Sequence, residues 1–294
     1  MNHPVHPVSS APNQVQSRGD SSIGGLLLES GKITPENAER VLRMQKELGI
    51  RFGEAAQRLG LITEADIQQV LALQFDYPYL QAGEGNFSKK LVAAYDPFSP
   101  QMEQLRAVRS QLMLRWFARG HKSLAVVGVN SGDGASLFAA NLAVVFSQLG
   151  ERTLLVDANM RRPAQQEIFD LKGRQGLSDI LAGRAQTDVV AKIDSFVSLS
   201  VLAGGTLPPN PQELLSRPAF QALNTELGLQ HDVVLYDTAP FSAGADANAV
   251  GIRTGGVLLV ARKNQTLLAD MASVTDQMQQ LGIQVVGAVL VDFA

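Results

Sequence analysis

From residue 123 onward the chain carries six short runs that are almost wholly apolar: SLAVVGV (123–129), TLLVDA (153–158), LSVLAGG (199–205), DVVLYDTAP (232–240), GVLLVAR (256–262) and GAVLVDF (287–293). Continuous apolar runs, as opposed to alternating ones, belong to strands covered on both faces. Helical stretches separate them, among them SLFAANLAVVFSQLG (136–150) and TLLADMASVTDQMQQLG (266–282). The alternation predicts an α/β fold with a doubly wound, mostly parallel sheet. Just upstream, MEQLRAVRSQLMLRWF (102–117) places Leu105, Val108, Leu112 and Trp116 on one helix face and Glu103, Arg106 and Arg109 on an adjacent one. Taken alone, that charged row reads as a solvated ladder of ion pairs.

A different pattern precedes this. IGGLLLESGKITPENAERVLRMQ (23–45) aligns with FGEAAQRLGLITEADIQQVLALQ (52–74) at an offset of 29 residues. Gly24/Gly53, Gly31/Gly60, Ile33/Ile62, Thr34/Thr63, Val41/Val70, Leu42/Leu71 and Gln45/Gln74 coincide, which marks a duplicated supersecondary unit. Thr34 and Thr63 are suited to cap helices, with Pro35 at a first helical position. Ala38, Val41 and Leu42, and likewise Ile67, Val70 and Leu71, predict an apolar stripe in each copy. Each half is too small to bury its stripe alone, so the two are expected to pack together. The first 21 residues, rich in Pro, Ser, Asn and Gln, contain no apolar core of a secretory signal and are expected to be disordered, with His3 and His6 solvated. The expected division is a tail (1–21), a helical tandem-repeat domain (22–80), a polar linker (81–100) and the α/β domain (101–294).

Composition narrows the function classes. The chain has 294 residues, 45% hydrophobic and 18% charged, with a net charge of −3. The pI near 5.8 argues against a nucleic-acid partner, which usually needs a basic face. The absence of cysteine excludes disulfides and thiolate metal sites. No apolar run reaches the ~20 residues that span a bilayer.

The candidate chemistry lies at the strand ends, where parallel α/β sheets bind ligands. The stretch VVGVNSGDGASLFAANLA (126–143) runs from a strand through a glycine-rich turn into a helix, an arrangement that turns backbone N–H groups toward phosphates. Gly128, Ser131, Gly132, Asp133, Gly134, Ala135, Ser136 and Leu137 are the candidate nucleotide-binding residues. The usual loop ends G-K-[ST]; here Ala135 stands in the lysine position. Asp157 and Asp237 each end an apolar run. With Ser136 they form a candidate Mg²⁺ set, and they are the candidate catalytic carboxylates. Arg161 and Arg162 follow Asp157 as candidate cations or as ordinary surface arginines.

Two family resemblances rest on these residues. The repeat pattern, best matched by Arg51, Phe52, Gly53, Gly60, Leu61, Ile62, Ile67, Leu71 and Gln74, resembles the tandem motif of the N-terminal domain of type II secretion and type IV pilus assembly ATPases. Some of that group bind cyclic di-GMP. The resemblance makes Arg18, Gly24, Gly31, Arg51, Gly53 and Gly60 candidate ligand residues, although Ser22 holds the arginine position of the first copy and Ala56 and Gln57 replace two aliphatics. A helical docking domain without a ligand is the alternative.

The order ExxRxxR, degenerate P-loop, hhhDxNMRRP, GLSDILAG, GTLPPNPQELL and VVLYDTAP, over roughly residues 97–294, resembles the bacterial tyrosine kinases that control exopolysaccharide chain length. With the repeat domain in front, it looks most like the chain-length determinant protein tyrosine kinases of exosortase-linked loci. The resemblance implies ATP and Mg²⁺ as cofactors and an oligomerisation helix bearing Glu103, Arg106 and Arg109. It also implies a homo-oligomer, a membrane-bound chain-length determinant (a polysaccharide co-polymerase) as partner, and a cytoplasmic protein recruited to the inner membrane by that partner. Three departures imply impaired catalysis. Ala135 replaces the lysine, Asn159 replaces the second aspartate of DxD, and the sequence closes at VDFA without a tyrosine cluster, its tyrosines being Tyr77, Tyr79, Tyr95 and Tyr236. Two alternatives stay open: a non-catalytic, cyclic di-GMP-sensing adaptor (a pseudokinase) and a MinD/ParA-like positioning ATPase.

Overall fold

The computed structural model describes residues 22–74, 79–80 and 85–292. They fall into two compact units that divide between residues 77 and 78. The expected tail, with Arg18, His3 and His6, lies outside the described residues, as do Tyr77 and residues 293–294.

The first unit is four helices: α1 (Ile23–Glu29), α2 (Pro35–Leu48), α3 (Phe52–Arg58) and α4 (Glu64–Gln74). The duplication appears as helix–turn–helix twice over, with Gly31 (φ 68°) and Gly60 (φ 66°) turning the chain at equivalent places. Thr34 Oγ1 accepts from Asn37 N at 3.3 Å, and Thr63 Oγ1 accepts from Asp66 N at 3.2 Å while Thr63 N donates to Asp66 Oδ2. Both threonines thus satisfy backbone donors that a helix start leaves unpaired. The halves share one core: Leu27, Ile33, Ala38 and Val41 from the first meet Ala55, Ala56, Ile62 and Val70 from the second. Leu42 corrects the expected stripe, being 50% exposed. One residue past Val41, it lies about 100° further round the helix, off the buried face.

The second unit begins with α5 (Val92–Tyr95) and α6 (Pro100–Arg115), then β1 (Ser123–Gly128), α7 (Ala135–Ser147) and β2 (Thr153–Asp157). There follow α8 (Gln165–Ile168), α9 (Leu177–Leu181), a short β3 (Ala191–Lys192), β4 (Leu199–Leu202), α10 (Pro211–Ser216) and α11 (Pro218–Gln230). The last elements are β5 (Val233–Asp237), α12 (Asp246–Thr254), β6 (Gly256–Arg262), α13 (Leu268–Gln280) and β7 (Gln284–Val291). The sheet order is β3-β4-β2-β5-β1-β6-β7, parallel throughout except for the β3–β4 edge pair, which the hydrophobic pattern did not reveal. Successive residues of a strand point to opposite faces, so Leu124 and Val126 of β1 enter the core under α6 and α7 while Ala125 and Val127 enter the core under α11 and α12. That two-sided burial is why the runs read as continuously apolar. β7 departs from it: Leu290 is 65% exposed, because an edge strand has a neighbour on one side only.

The described part of the expected linker (81–100) is built into this unit. Leu91, Ala93 and Ala94 are fully buried, Leu80 N donates to Ala94 O at 2.7 Å, and Ser88 N donates to Ile168 O at 2.9 Å. Asn141, buried within α7, accepts from Ala93 N at 2.9 Å and fastens the segment. The polar stretch before it masked the short apolar run LVAAY.

Candidate nucleotide site

Four parallel strands end side by side, and their C-terminal ends build the site. After β1 the chain passes Gly132 (φ 91°) and Gly134 (φ 80°), left-handed conformations that side-chain-bearing residues avoid, and enters α7 at Ala135. The loop braces itself. Asn130 N donates to Asp133 Oδ2 at 2.7 Å, and Thr266 Oγ1 donates to Asp133 Oδ1 at 2.9 Å, so this buried carboxylate is occupied in holding the loop's shape. All eight candidate loop positions (Gly128, Ser131, Gly132, Asp133, Gly134, Ala135, Ser136 and Leu137) border one cavity of about 1300 Å³. The start of α7 offers that cavity unpaired backbone N–H groups and the positive end of the helix dipole.

Asp157 and Asp237 lie beneath the cavity wall. They are register partners at the ends of β2 and β5, and both are fully buried. Asp157 Oδ2 accepts from Ala164 N (2.8 Å) and Gln165 N (2.9 Å), and Oδ1 from Asn159 N (3.1 Å). Asp237 Oδ1 accepts from Ser136 Oγ at 3.0 Å and Oδ2 from Gln165 Nε2 at 2.8 Å. Burial raises the Asp157 carboxyl to about 6, against the pull of its three backbone donors. Asp237 is raised well above the usual carboxylate range, first by burial and then by the neighbouring Asp157 charge. Two buried carboxyls with pKa values pushed up mark a place built to receive positive charge.

The donor set fits a divalent cation such as Mg²⁺: Ser136 Oγ, Asp157 and Asp237 are hard oxygen groups, and Gln165 Oε1 is a further buried oxygen with no hydrogen-bond partner. Among the described residues no cluster of three or more His, Cys, Asp or Glu side chains is placed to hold a metal. Any cation here would therefore rely on two carboxylates and a hydroxyl.

Other candidates are placed differently. Arg161 borders the cavity but is bound bidentately by the buried Asp246 at 2.7 and 2.9 Å. Asn159 Oδ1 accepts from Arg162 N at 3.2 Å, so this side chain caps the turn after β2. The Glu103/Arg106/Arg109 row is not the solvated ladder expected from its spacing. Arg106 pairs with Glu103 and also donates to Pro97 O at 2.7 Å, and Arg109 donates to Val145 O at 2.9 Å, joining α6 to α7. Both arginines are half-buried, because α6 packs on α7 along the flank where they sit.

In the first unit Arg51 is the candidate cyclic di-GMP arginine among the described residues, Arg18 lying outside them. A Cβ on Gly24 would stand 3.2 Å from the Phe52 ring, and one on Gly53 3.0 Å from Ile67 Cδ1, so both glycines let helices approach closely. Gly31 and Gly60 serve the turns. Arg51 is exposed at the start of α3, whereas Ser22 at the equivalent position caps α1, its Oγ accepting from Gly25 N at 3.3 Å.

Two residues escaped the sequence reading. Gln165 gave no signal, being one polar residue in a short helix. Arg262 did give one, as a charge closing the apolar run of β6: it donates to Gly132 O at 3.3 Å and borders the cavity, setting a guanidinium beside the loop that lacks a lysine.

A glycine-rich loop between β1 and α7, above two strand-end carboxylates, makes the second unit a P-loop domain. No protein-family model matches the chain. The chain is 32% identical over 202 residues to the tyrosine-protein kinase YwqD of Bacillus subtilis, covering 69% of this chain and 85% of that protein. It is 35% identical over 201 residues to the tyrosine-protein kinase wzc of Salmonella typhi, covering 68% of this chain but only 28% of that longer one. The kinase domain of Escherichia coli tyrosine kinase ETK superposes with a TM-score of 0.67 at 28% identity, over 74% of this chain and 84% of that domain. The chain belongs to the bacterial tyrosine-protein kinase family. Among the described residues no helix is long and apolar enough to cross a membrane.

Proposed function

We propose that the second unit binds ATP together with Mg²⁺, and that the chain serves exopolysaccharide polymerisation and export as a kinase-family protein with a weakened catalytic site. In this reading the N–H groups of residues 132–137 cradle the phosphates, Ser136, Asp157 and Asp237 hold the cation, and the last two are the catalytic carboxylates. The cation supplies charge neutralisation to the β- and γ-phosphates when bound. The observation that carries the reading is the convergence of the loop with two register-paired carboxylates, Ser136 Oγ lying 3.0 Å from Asp237 Oδ1.

Weakened phosphotransfer follows from chemistry at two positions. Ala135 brings no ammonium to the phosphates, and Asn159 brings no charge to the cation. Arg262 supplies a positive charge in contact with the loop, but from a different strand end. The same reading places the protein in the cytoplasm, as a homo-oligomer recruited to the inner membrane by a membrane-bound chain-length determinant. Calorimetric titration of the full chain with ATP, with and without Mg²⁺, tests it. A magnesium-dependent Kd in the micromolar to millimolar range is expected, with phosphotransfer slower than in a lysine-bearing relative. No heat at millimolar ATP would remove the reading.

Cyclic di-GMP binding by the first unit is a second reading, and one observation favours it: the exposed guanidinium side chain of Arg51. Titration with cyclic di-GMP should then give heat that Arg51→Ala abolishes. If wild type gives none, the unit is a docking module.

A further inference from the structure

Gln165, the first residue of α8, is fully buried, and its carboxamide reaches into the cluster that the proposed function assigns to a cation. Its Nε2 donates to Asp237 Oδ2 at 2.8 Å and to the main-chain oxygen of Ser136 at 3.0 Å. Its Oε1 is buried without a hydrogen-bond partner. A glutamine that merely filled space in a core would have both ends satisfied, because an unpaired buried carbonyl is costly. Here only the donor end is satisfied, and its partners are the groups around the proposed cation site. The side chain is therefore oriented by what its N–H groups give to Asp237 and Ser136.

Both oxygens of Asp237 are engaged, Oδ1 by Ser136 and Oδ2 by Gln165. A donor N–H and a cation seek the same carboxylate lone pairs, so the two compete. Resting on the reading that Ser136, Asp157 and Asp237 hold a divalent cation, we propose that Gln165 sets the affinity of that site as a built-in competitor. Its carboxamide satisfies Asp237 in the absence of the cation and must turn away from Oδ2 before the cation binds. The neutral amide thus serves as a stand-in for positive charge, stabilising the buried Asp237 carboxyl at the expense of metal affinity.

The test uses the full chain with Mn²⁺ as the probe, free Mn²⁺ being read by electron paramagnetic resonance with and without ATP. Gln165→Met keeps the side chain's length and removes the donor; Gln165→Glu puts an oxygen in its place. Both are expected to bind Mn²⁺ about tenfold more tightly than wild type, a difference of about 1.4 kcal/mol. Both should melt at lower temperature in EDTA and recover on adding Mn²⁺. Should Gln165→Met prove unfolded in EDTA, refolding at lower Mn²⁺ concentration than wild type needs for its own stabilisation is the expected readout. Unchanged or weaker Mn²⁺ affinity in a folded Gln165→Met, while wild type binds Mn²⁺ with ATP, overturns the competitor and leaves the proposed function standing. If wild type and both variants bind no Mn²⁺ even with ATP, the metal site fails and the competitor with it.

Discussion

Ala135→Lys restores the cation that the loop lacks, and its effect can be sized. Residue 135 is the first of α7 and borders the cavity at 9% exposure, in the position from which a lysine would reach the phosphates. A charge-assisted hydrogen bond is worth about 1.5–3 kcal/mol. Ordering a lysine on binding returns about 0.5–1 kcal/mol of that. The net gain of about 1–2 kcal/mol is roughly 5- to 30-fold in Kd for MgATP. The gain in phosphotransfer should exceed the gain in affinity, since negative charge develops on the γ-phosphate beside that ammonium. Calorimetry measures the first and transfer of labelled phosphate to a tyrosine peptide the second. The reasoning is refuted if the variant, folded with an unchanged melting temperature, binds MgATP no more tightly than wild type.

Arg262→Ala should weaken MgATP binding by about tenfold, since it removes a positive charge beside the loop along with its bond to Gly132 O; an unchanged Kd would show that Arg262 only closes the strand. The pH dependence of metal-free stability follows from Asp157, whose carboxyl is raised from 3.8 to about 6 by burial. The folded state then holds the proton more tightly than the unfolded one, so this contribution is complete below pH 3.8 and is lost as pH rises toward 6. The loss amounts to about 3 kcal/mol at most. Urea unfolding between pH 4 and 5.5 in EDTA should show falling stability. That interval lies above the window of Asp66 and Asp232, both held near 2 by ion pairs and hydrogen bonds. His231, whose pKa is lowered chiefly by burial, acts in the opposite sense, so the fall expected from Asp157 is read as a net slope. Stability rising across the interval would contradict the buried pair. Mg²⁺ at neutral pH should recover the loss, because a cation pays the same electrostatic debt as the proton.

The sheet was legible because its strands are buried on both faces, which writes a local, continuous apolar signal at 123–129 and at each later run. The repeat was legible because duplication is a property of sequence alone, and the loop because glycine is needed wherever φ is positive, as at Gly132 and Gly134. Leu42 misled because an apolar residue at the margin of a helix stripe can fall beyond the edge of the surface that covers it, and the segment around Leu91 misled because polar neighbours hid a short buried run.

What the chain order could not give is any contact that joins distant strand ends. That Asp157 and Asp237 stand in register, that Arg262 reaches Gly132 O, and that Gln165 bonds both Asp237 and the Ser136 main chain all depend on the sheet order β2-β5-β1-β6. Periodicity reports which face of an element is dry, whereas the charge balance of a buried cluster is decided by which elements the tertiary fold sets side by side.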